Sequence, residues 1–241
     1  MSSVPLGPSE KPQEHALVEM TRRAAELTRE AIAAAADAIT LQRKDLFASV
    51  RKCELALDTI DREFDEDIVF AVTGATIPEG RILLCCFKFI IDLERIGDLV
   101  QSFSSRAEAI GQHVDDQDLE KFIQILSVLE HMVKSSWQAF EMRDIDLALK
   151  VIRHDSEIDR LRNLMFLRHV GEQRENEILK DSVQVLFMAH ALERAGDHAK
   201  NLGEEVCHFI SGRTLRHVLR DQDKSYEQLF LARLREKSSS L

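Results

Sequence analysis

The sequence contains few residues that break helices or favour strands. Only 9 glycines and 4 prolines occur in 241 residues, so turns must be few and the elements between them long. Tyrosine and tryptophan occur once each, and alternating runs of valine, isoleucine and threonine are missing. Hydrophobic residues make up 44% and charged residues 31% of the chain, as in a soluble globular protein. The sequence therefore predicts an all-α protein.

Other features that the sequence lacks argue against several classes of function. The net charge is −10 and no basic run stands out, which argues against binding to nucleic acid or to anionic lipid. Paired-ligand spacing is missing among the cysteines, so a thiolate metal site is not expected, and the apolar surroundings of two of them indicate reduced core residues; the four are Cys53, Cys85, Cys86 and Cys207.

No segment of the sequence has the character of a membrane anchor or a signal peptide. The most apolar stretch, "ILLCCFKFII", is too short to span a bilayer and contains Lys88. Residues 1–16 lack the charged start and apolar stretch of a signal peptide. We therefore expect a cytoplasmic protein whose contact with membranes is peripheral only, by recruitment to the inner face.

Polar and glycine-containing breaks separate six apolar-periodic stretches of helical length. The predicted helices are 14–41, 45–72, 79–109, 118–141, 146–169 and 177–211. Residues 1–13 are predicted to form a disordered arm. The tail, residues 213–241, is predicted to add a short helix around "YEQLFLARL".

The two halves of the chain resemble each other. "LERIGD" at 93–98 returns as "LERAGD" at 192–197, at an offset of 99 residues. "DLFASVRKCELALD" at 45–58 returns as "DLALKVIRHDSEID" at 146–159, at an offset of 101. A period of about 100 residues is too long for the common solenoid repeats. It predicts two tandem three-helix bundles, 14–112 and 113–212, each burying the apolar stripes of its helices around its own core.

Pairs of acidic residues recur at the same places in both halves. Residues four apart lie on one face of a helix, and consecutive helices joined by one loop run antiparallel. The first two pairs have their midpoint at residue 76 and the last two at Asn176, and both positions fall in predicted breaks between helices. Each half is therefore predicted to bring four carboxylates to one level: Glu54, Asp58, Glu94 and Asp98 in the first, and Asp155, Asp159, Glu193 and Asp197 in the second.

Four carboxylates held together predict a cation site. Like charges 4 Å apart repel by ~4 kcal/mol at the effective dielectric of a protein surface, so protonation, basic partners or cations are needed. Arg95 and Arg194 could neutralise only part of each patch. Oxygen ligands favour Mg²⁺, Mn²⁺, Ca²⁺ or iron, and zinc is compatible. Asn201 continues the acidic face in the second half, which predicts the stronger site there.

Two further expectations concern the surroundings of the patches. The glycine between each glutamate and aspartate costs ~1 kcal/mol in a helix, and we expect it to let neighbouring backbone or a metal cluster approach closely. His190 and His198 flank the second patch and are expected to be packed or exposed residues rather than ligands. For any single Glu-x-x-x-Asp pair, the alternative is a solvated helix face.

The two hexapeptides, the preceding acidic pairs and "RTLRHV" at 213–218 resemble the PhoU family of phosphate-transport regulatory proteins over residues 14–220. The resemblance implies a cytoplasmic all-α accessory protein that binds multinuclear iron or zinc clusters through the four acidic pairs; the oxygen ligands leave magnesium and manganese as alternatives. It also implies action with a phosphate ABC transporter, through its ATPase subunit, and with a membrane sensor histidine kinase, to repress the phosphate-starvation response. Family members often form dimers, which implies a homodimer.

One stretch departs from the family pattern. Family members commonly carry Gln-Pro-x-Ala-x-Asp-Leu-Arg before the third helix, where this sequence has "TIPEGRILL" and keeps only Glu79 and Arg81 at the acidic and basic positions. The difference leaves room for a diverged partner.

Three functions follow from these observations. The first is a non-catalytic adaptor in phosphate signalling. The second is a metal-dependent hydrolase or ferritin-like oxidase. The oxidase requires two Glu-x-x-His motifs, and only Glu205 to His208 has this spacing. A hydrolase requires a base beside an open metal position, and no convergent His-rich cluster is evident. The third is a plain helical scaffold that is kept soluble by its acidic faces.

Overall fold

The computed structural model describes residues 12–111, 114–171 and 176–212, and these ranges form six α-helices. They are α1 (Pro12–Leu41), α2 (Lys44–Thr73), α3 (Ile77–Ile110), α4 (Asp116–Met142), α5 (Ile145–Gly171) and α6 (Asn176–Ser211). Every helix end lies within two residues of its predicted position, which confirms the all-α prediction. The predicted tail lies outside the described residues, as does the predicted arm apart from Pro12 and Gln13, which belong to α1.

Short connections with matching geometry fix the antiparallel order of the helices. Gln42, between α1 and α2, has φ 52°, and its repeat counterpart Arg143, between α4 and α5, has φ 51°. Both residues therefore turn the chain in the left-handed conformation that commonly ends a helix. Before α3, Thr76 and Glu79 form a capping box in which the Thr76 amide donates to Glu79 Oε2 at 2.6 Å. Glu79, the acidic residue that the diverged "TIPEGRILL" stretch keeps, therefore caps the N-terminus of α3.

The two bundles pack against each other through α1 with α4 and α3 with α6. Buried residues from both halves form one continuous core, so the prediction of two separate cores is wrong. Phe89 of α3 lies 5.8 Å from Phe140 of α4, and Phe103 of α3 lies 5.2 Å from Phe122, measured between ring centroids. These aromatic pairs cross from one bundle to the other because α3 buries two faces, one in each direction.

No helix in the described part of the chain is long and apolar enough to cross a membrane.

Candidate metal site

Three carboxylates converge between α2 and α3. Glu54 and Asp58 of α2 and Asp98 of α3 each offer one oxygen, and the three oxygens lie within 4.8 Å of one another. All three residues are half-buried. We call these three, with Glu94 beside them, the first patch. The predicted antiparallel alignment of the acidic pairs is therefore present in this half.

Glu94 lies at the edge of the first patch. Its carboxylate is 3.4 Å from Nε of Arg95, whose Nη1 is 3.7 Å from Asp98 Oδ2. Partial burial, and then the negative charge of Asp98, raise the pKa of Glu94; the charges of Asp61 and Asp58 add to this, and Arg95 opposes it. Glu94 thus shares the electrostatic field of the patch, but it is not among the three converging ligands.

The two glutamates of the first patch, Glu54 and Glu94, have raised pKa values. Burial is the largest cause that raises the pKa of Glu54, followed by the charges of Asp58 and Asp98. Arg95 forms ion pairs with this patch, but its side chain is 57% exposed, so solvent screens much of its charge. A divalent cation with oxygen ligands would relieve the repulsion. The donor set of the first patch therefore fits a hard metal ion.

The glycines of the two hexapeptides let a side chain of the facing helix pack closely. A β-carbon on Gly97 would lie 2.6 Å from Leu57 Cδ1, and one on Gly196 would lie 2.9 Å from Ile158 Cδ1. Leu57 and Ile158 are counterparts at the offset of 101 residues. The predicted reason for the glycines is therefore corrected: a neighbouring side chain makes the close approach, and this contact sets α2 against α3 and α5 against α6.

The second patch, which consists of Asp155, Asp159, Glu193 and Asp197, differs from the first. Within the described ranges, no three of its carboxylates approach one another as closely as those of the first patch. Instead, Lys200 Nζ donates to Asp155 Oδ2 at 2.6 Å. His190 Nδ1 lies 3.0 Å from Glu193 Oε2, in a geometry that makes no hydrogen bond. Among the described residues, three carboxylates therefore converge in the first patch and not in the second, where the sequence predicts the stronger site.

Asn201, predicted to be a ligand of the second patch, reaches the other bundle instead. Its Nδ2 donates to Asp92 Oδ1 of α3 at 3.1 Å, and His198 Nδ1 lies 2.7 Å from the same oxygen. Asp92 is buried, and a buried carboxylate needs such partners. This position of α6 faces α3, so the Asn201 amide bonds Asp92 of the other bundle. His198 is a packed residue, as expected.

Sequence reasoning missed Asp92 and Lys200. Asp92 interrupts the apolar run "FIIDL", and a charge inside such a run signals a buried partner. Lys200 follows Asp197 by three residues, a spacing that places a basic group on the acidic face.

A second network that the sequence did not reveal lies between α4 and α5. The Arg168 guanidinium donates to both Asp115 oxygens at 2.7 and 2.6 Å and lies 2.8 Å from Asp118 Oδ1. His169 Nε2 lies 2.7 Å from Asp118 Oδ2. Asp115 is also the N-cap of α4 and accepts the amides of residues 117 and 118. These contacts tie the start of α4 to the end of α5.

The sequence matches the model of the PhoU domain twice, over residues 21–107 and 122–206. Each match falls within one of the two bundles. Among similar proteins, the phosphate-specific transport system accessory protein PhoU homolog 1 of Thermotoga maritima is 26% identical over 205 residues, which cover 83% of this chain and 88% of that protein. The accessory protein PhoU of Escherichia coli is 28% identical over 207 residues, which cover 77% and 80%.

Two solved structures resemble the fold. The crystal structure of PhoU from Pseudomonas aeruginosa superimposes with a TM-score of 0.77 at 24% identity, covering 83% of this chain and 98% of that one. The phosphate transport system regulatory protein PhoU from Streptococcus pneumoniae gives a TM-score of 0.75 at 17% identity, covering 83% and 96%. At these identities the likeness concerns the fold, and it extends over both bundles.

Proposed function

Because the chain belongs to the PhoU domain family, we propose that it is a non-catalytic regulator of phosphate uptake whose first patch binds a metal ion. Its relatives are accessory proteins of phosphate-specific transport systems, which makes the family one of regulators rather than enzymes. The observation that carries the metal assignment is the convergence of Glu54, Asp58 and Asp98 across two helices. The hydrolase and oxidase alternatives are not supported by this family membership.

The proposed partners are the ATPase subunit of a phosphate ABC transporter and a membrane sensor histidine kinase, reached from the cytoplasm. The names of the relatives support the transporter, and the sequence resemblance supports the kinase. Large apolar side chains are exposed around the loop between α2 and α3, where the sequence departs from the family pattern: Val69, Phe70, Val72 and Ile77. Exposed apolar groups of this size are common at protein contacts.

A deletion strain tests the regulatory role. We expect phosphate-starvation genes to be expressed in phosphate-rich medium when the gene is deleted, and repression to return with the wild-type chain. Normal repression in the deletion strain would contradict the proposal.

A co-purification experiment tests whether the exposed apolar residues contact the transporter ATPase. It compares the amount of ATPase that co-purifies with the wild-type chain and with a Phe70→Ser/Ile77→Ser variant.

The bound metal would neutralise the first patch and hold α2 against α3. Three carboxylate oxygens suit Mg²⁺ or Mn²⁺, and they also suit iron. Iron or zinc clusters are the family expectation, and zinc more often takes nitrogen and sulfur ligands. We propose iron or manganese as the first ions to test.

Metal analysis of the purified protein tests the first patch. We expect bound metal in the wild type and its loss in a Glu54→Gln/Asp58→Asn/Asp98→Asn variant. Glu66→Gln removes an exposed acidic group of the same helix and serves as the control. Equal metal content in the wild type and the triple variant would exclude the first patch as the site.

A further inference from the structure

We infer that Lys200 supplies a built-in positive charge to the second patch, so that this patch excludes metal ions and the chain has one metal site rather than two. The inference builds on the proposed metal site in the first patch. It concerns the second patch, whose carboxylates do not fit the metal cluster that the family resemblance implies.

Lys200 is held inside the second patch. The Asp155 side chain is only 9% exposed, and its carboxylate accepts a 2.6 Å hydrogen bond from Lys200 Nζ. The lysine side chain is 33% exposed, so the ion pair is partly shielded from water. A charge-assisted hydrogen bond of this length is among the strong ones. The ammonium therefore occupies the position at which a cation would meet Asp155.

The lysine is charged at neutral pH. Burial by itself lowers the pKa of Lys200, but the hydrogen bond with Asp155 and the charges of Asp155, Glu204 and Asp197 outweigh burial and raise it. Lys200 therefore places a positive charge within the second patch.

The repeat shows which residue the first patch has at the position of Lys200. The offset of 99 residues aligns Lys200 with Gln101. Gln101 is uncharged and donates from Nε2 to Ser105 Oγ at 3.1 Å. The basic group beside the first patch is Arg95, which is 57% exposed and lies 3.7 Å from Asp98 Oδ2. Solvent screens that charge, whereas Lys200 is hydrogen-bonded to a buried carboxylate of the second patch.

A metal ion entering the second patch would meet two obstacles. It would have to separate Lys200 from a buried carboxylate, and it would place a multivalent cation beside an ammonium group. Like charges at such distances repel strongly because the protein surroundings screen them less than water does. The same ion in the first patch meets carboxylates whose basic neighbour, Arg95, is largely exposed to solvent.

Exchanging the residues between the two halves tests the inference. The probe is Mn²⁺, with stoichiometry and affinity measured by titration calorimetry on the full chain. We expect one site in the wild type. Lys200→Gln should gain a second site, and the reciprocal Gln101→Lys should weaken the first site at least tenfold. Lys134→Gln, which removes a charge from an exposed lysine of α4, should leave the titration unchanged.

The possible results separate this inference from the first-patch proposal. A wild type with two sites, one of them lost in Asp155→Asn/Asp197→Asn, overturns the inference. So does a folded Lys200→Gln variant that still has a single site, and that result leaves the first-patch assignment intact. If the wild type binds no Mn²⁺ while this variant binds one, the first-patch assignment fails and the inference stands. Should the variant not fold, Gln101→Lys decides: an unchanged first site overturns the inference.

Discussion

Leu57 of α2 packs directly onto Gly97 of α3, and its Cδ1 lies 2.6 Å from the place where a β-carbon of residue 97 would be. Ile158 makes the same contact with Gly196 in the second bundle. Leu57 is buried, so it has little room to move aside. Because Leu57 neighbours Asp58 and Gly97 neighbours Asp98, this apolar contact fixes the distance between the acidic groups beside it. The glycine is thus part of what assembles the first patch.

We expect Gly97→Ala to lower the free energy of unfolding. Alanine favours the helix by ~1 kcal/mol over glycine, but overpacking of a well-packed core costs about 1–3 kcal/mol, and this cost exceeds the gain in helix propensity. Urea unfolding of the metal-free protein measures the change. In a double-mutant cycle with Leu57→Ala, the two substitutions should cost less together than the sum of their separate effects.

Gly80 of α3 provides the control for this prediction. A β-carbon there would meet no atom within 4 Å, so Gly80→Ala should raise stability by roughly 0.5–1 kcal/mol. If Gly97→Ala proves as stabilising as Gly80→Ala, the contact between Leu57 and Gly97 does not constrain the helices.

Removal of one charge from the first patch is expected to have opposite effects without and with metal. Glu54→Gln should stabilise the metal-free protein by roughly 0.3–0.5 kcal/mol at pH 7, the size of one like-charge pair on a helix. The pKa of Glu54 is raised in the folded state, chiefly by burial, so its ionised form destabilises the fold above that pKa. The gain should therefore vanish as the pH falls below the ordinary glutamate value of 4.5.

With metal present, the wild type should be more stable than Glu54→Gln. A ligand at 100 times its Kd stabilises the folded state by about 2.7 kcal/mol, and Glu54→Gln should lose most of that shift. Thermal unfolding with and without Mn²⁺ at pH 7 measures both effects. An equal metal-induced rise in Tm for the wild type and Glu54→Gln would show that Glu54 is not a ligand.

Spacing along the chain predicts some parts of the site and leaves others open, for a physical reason. The helical period and the position of one loop are enough to bring Glu54, Asp58 and Asp98 to one level, because these residues lie on two consecutive antiparallel helices. Asn201 shares a helical face with Asp197, but α6 packs against α3 as well as α5. Spacing shows which residues share a helix face. It does not show which neighbouring helix packs against the residues at the edge of that face.

Lys200 illustrates the same difficulty at the level of charge. Its distance of three residues from Asp197 is visible in the sequence, yet its hydrogen-bond partner, Asp155, is on another helix 45 positions away.

The merging of the two predicted cores into one has a related cause. An apolar stripe predicts that a helix face is buried, but it does not say whether the covering helix belongs to the same bundle.

We expect Asn201→Ala to lower the free energy of unfolding without changing the metal content. The substitution removes a 3.1 Å hydrogen bond to the buried Asp92 carboxylate, and hydrogen bonds to charged groups contribute about 1.5–3 kcal/mol. Urea unfolding should show a loss in this range, while Mn²⁺ titration stays at the wild-type stoichiometry. A drop in bound Mn²⁺ would instead restore Asn201 as a ligand. His198→Ala, which removes another partner of Asp92, should behave in the same way as Asn201→Ala.

The pairing of Asp115 with Arg168 predicts a stability that depends on pH. The hydrogen bonds from Arg168 are the main cause that lowers the pKa of Asp115 from 3.8 to about 2, and the amide that Asp118 donates adds to this. A lowered folded pKa gives stability that is present above the unfolded value and is lost as the pH falls from about 4 towards 2. Asp115→Asn keeps a good N-cap but removes the charge. The ion pair is partly solvated, so we expect Asp115→Asn to lower the free energy of unfolding by about 0.5–1 kcal/mol at pH 6, and by less at each step down to pH 3.

Asp116→Asn removes a charge from the exposed neighbouring position and should show no such trend. Urea unfolding at a series of pH values measures both variants, and a pH-independent difference between Asp115→Asn and the wild type would mean that the ion pair does not stabilise the start of α4.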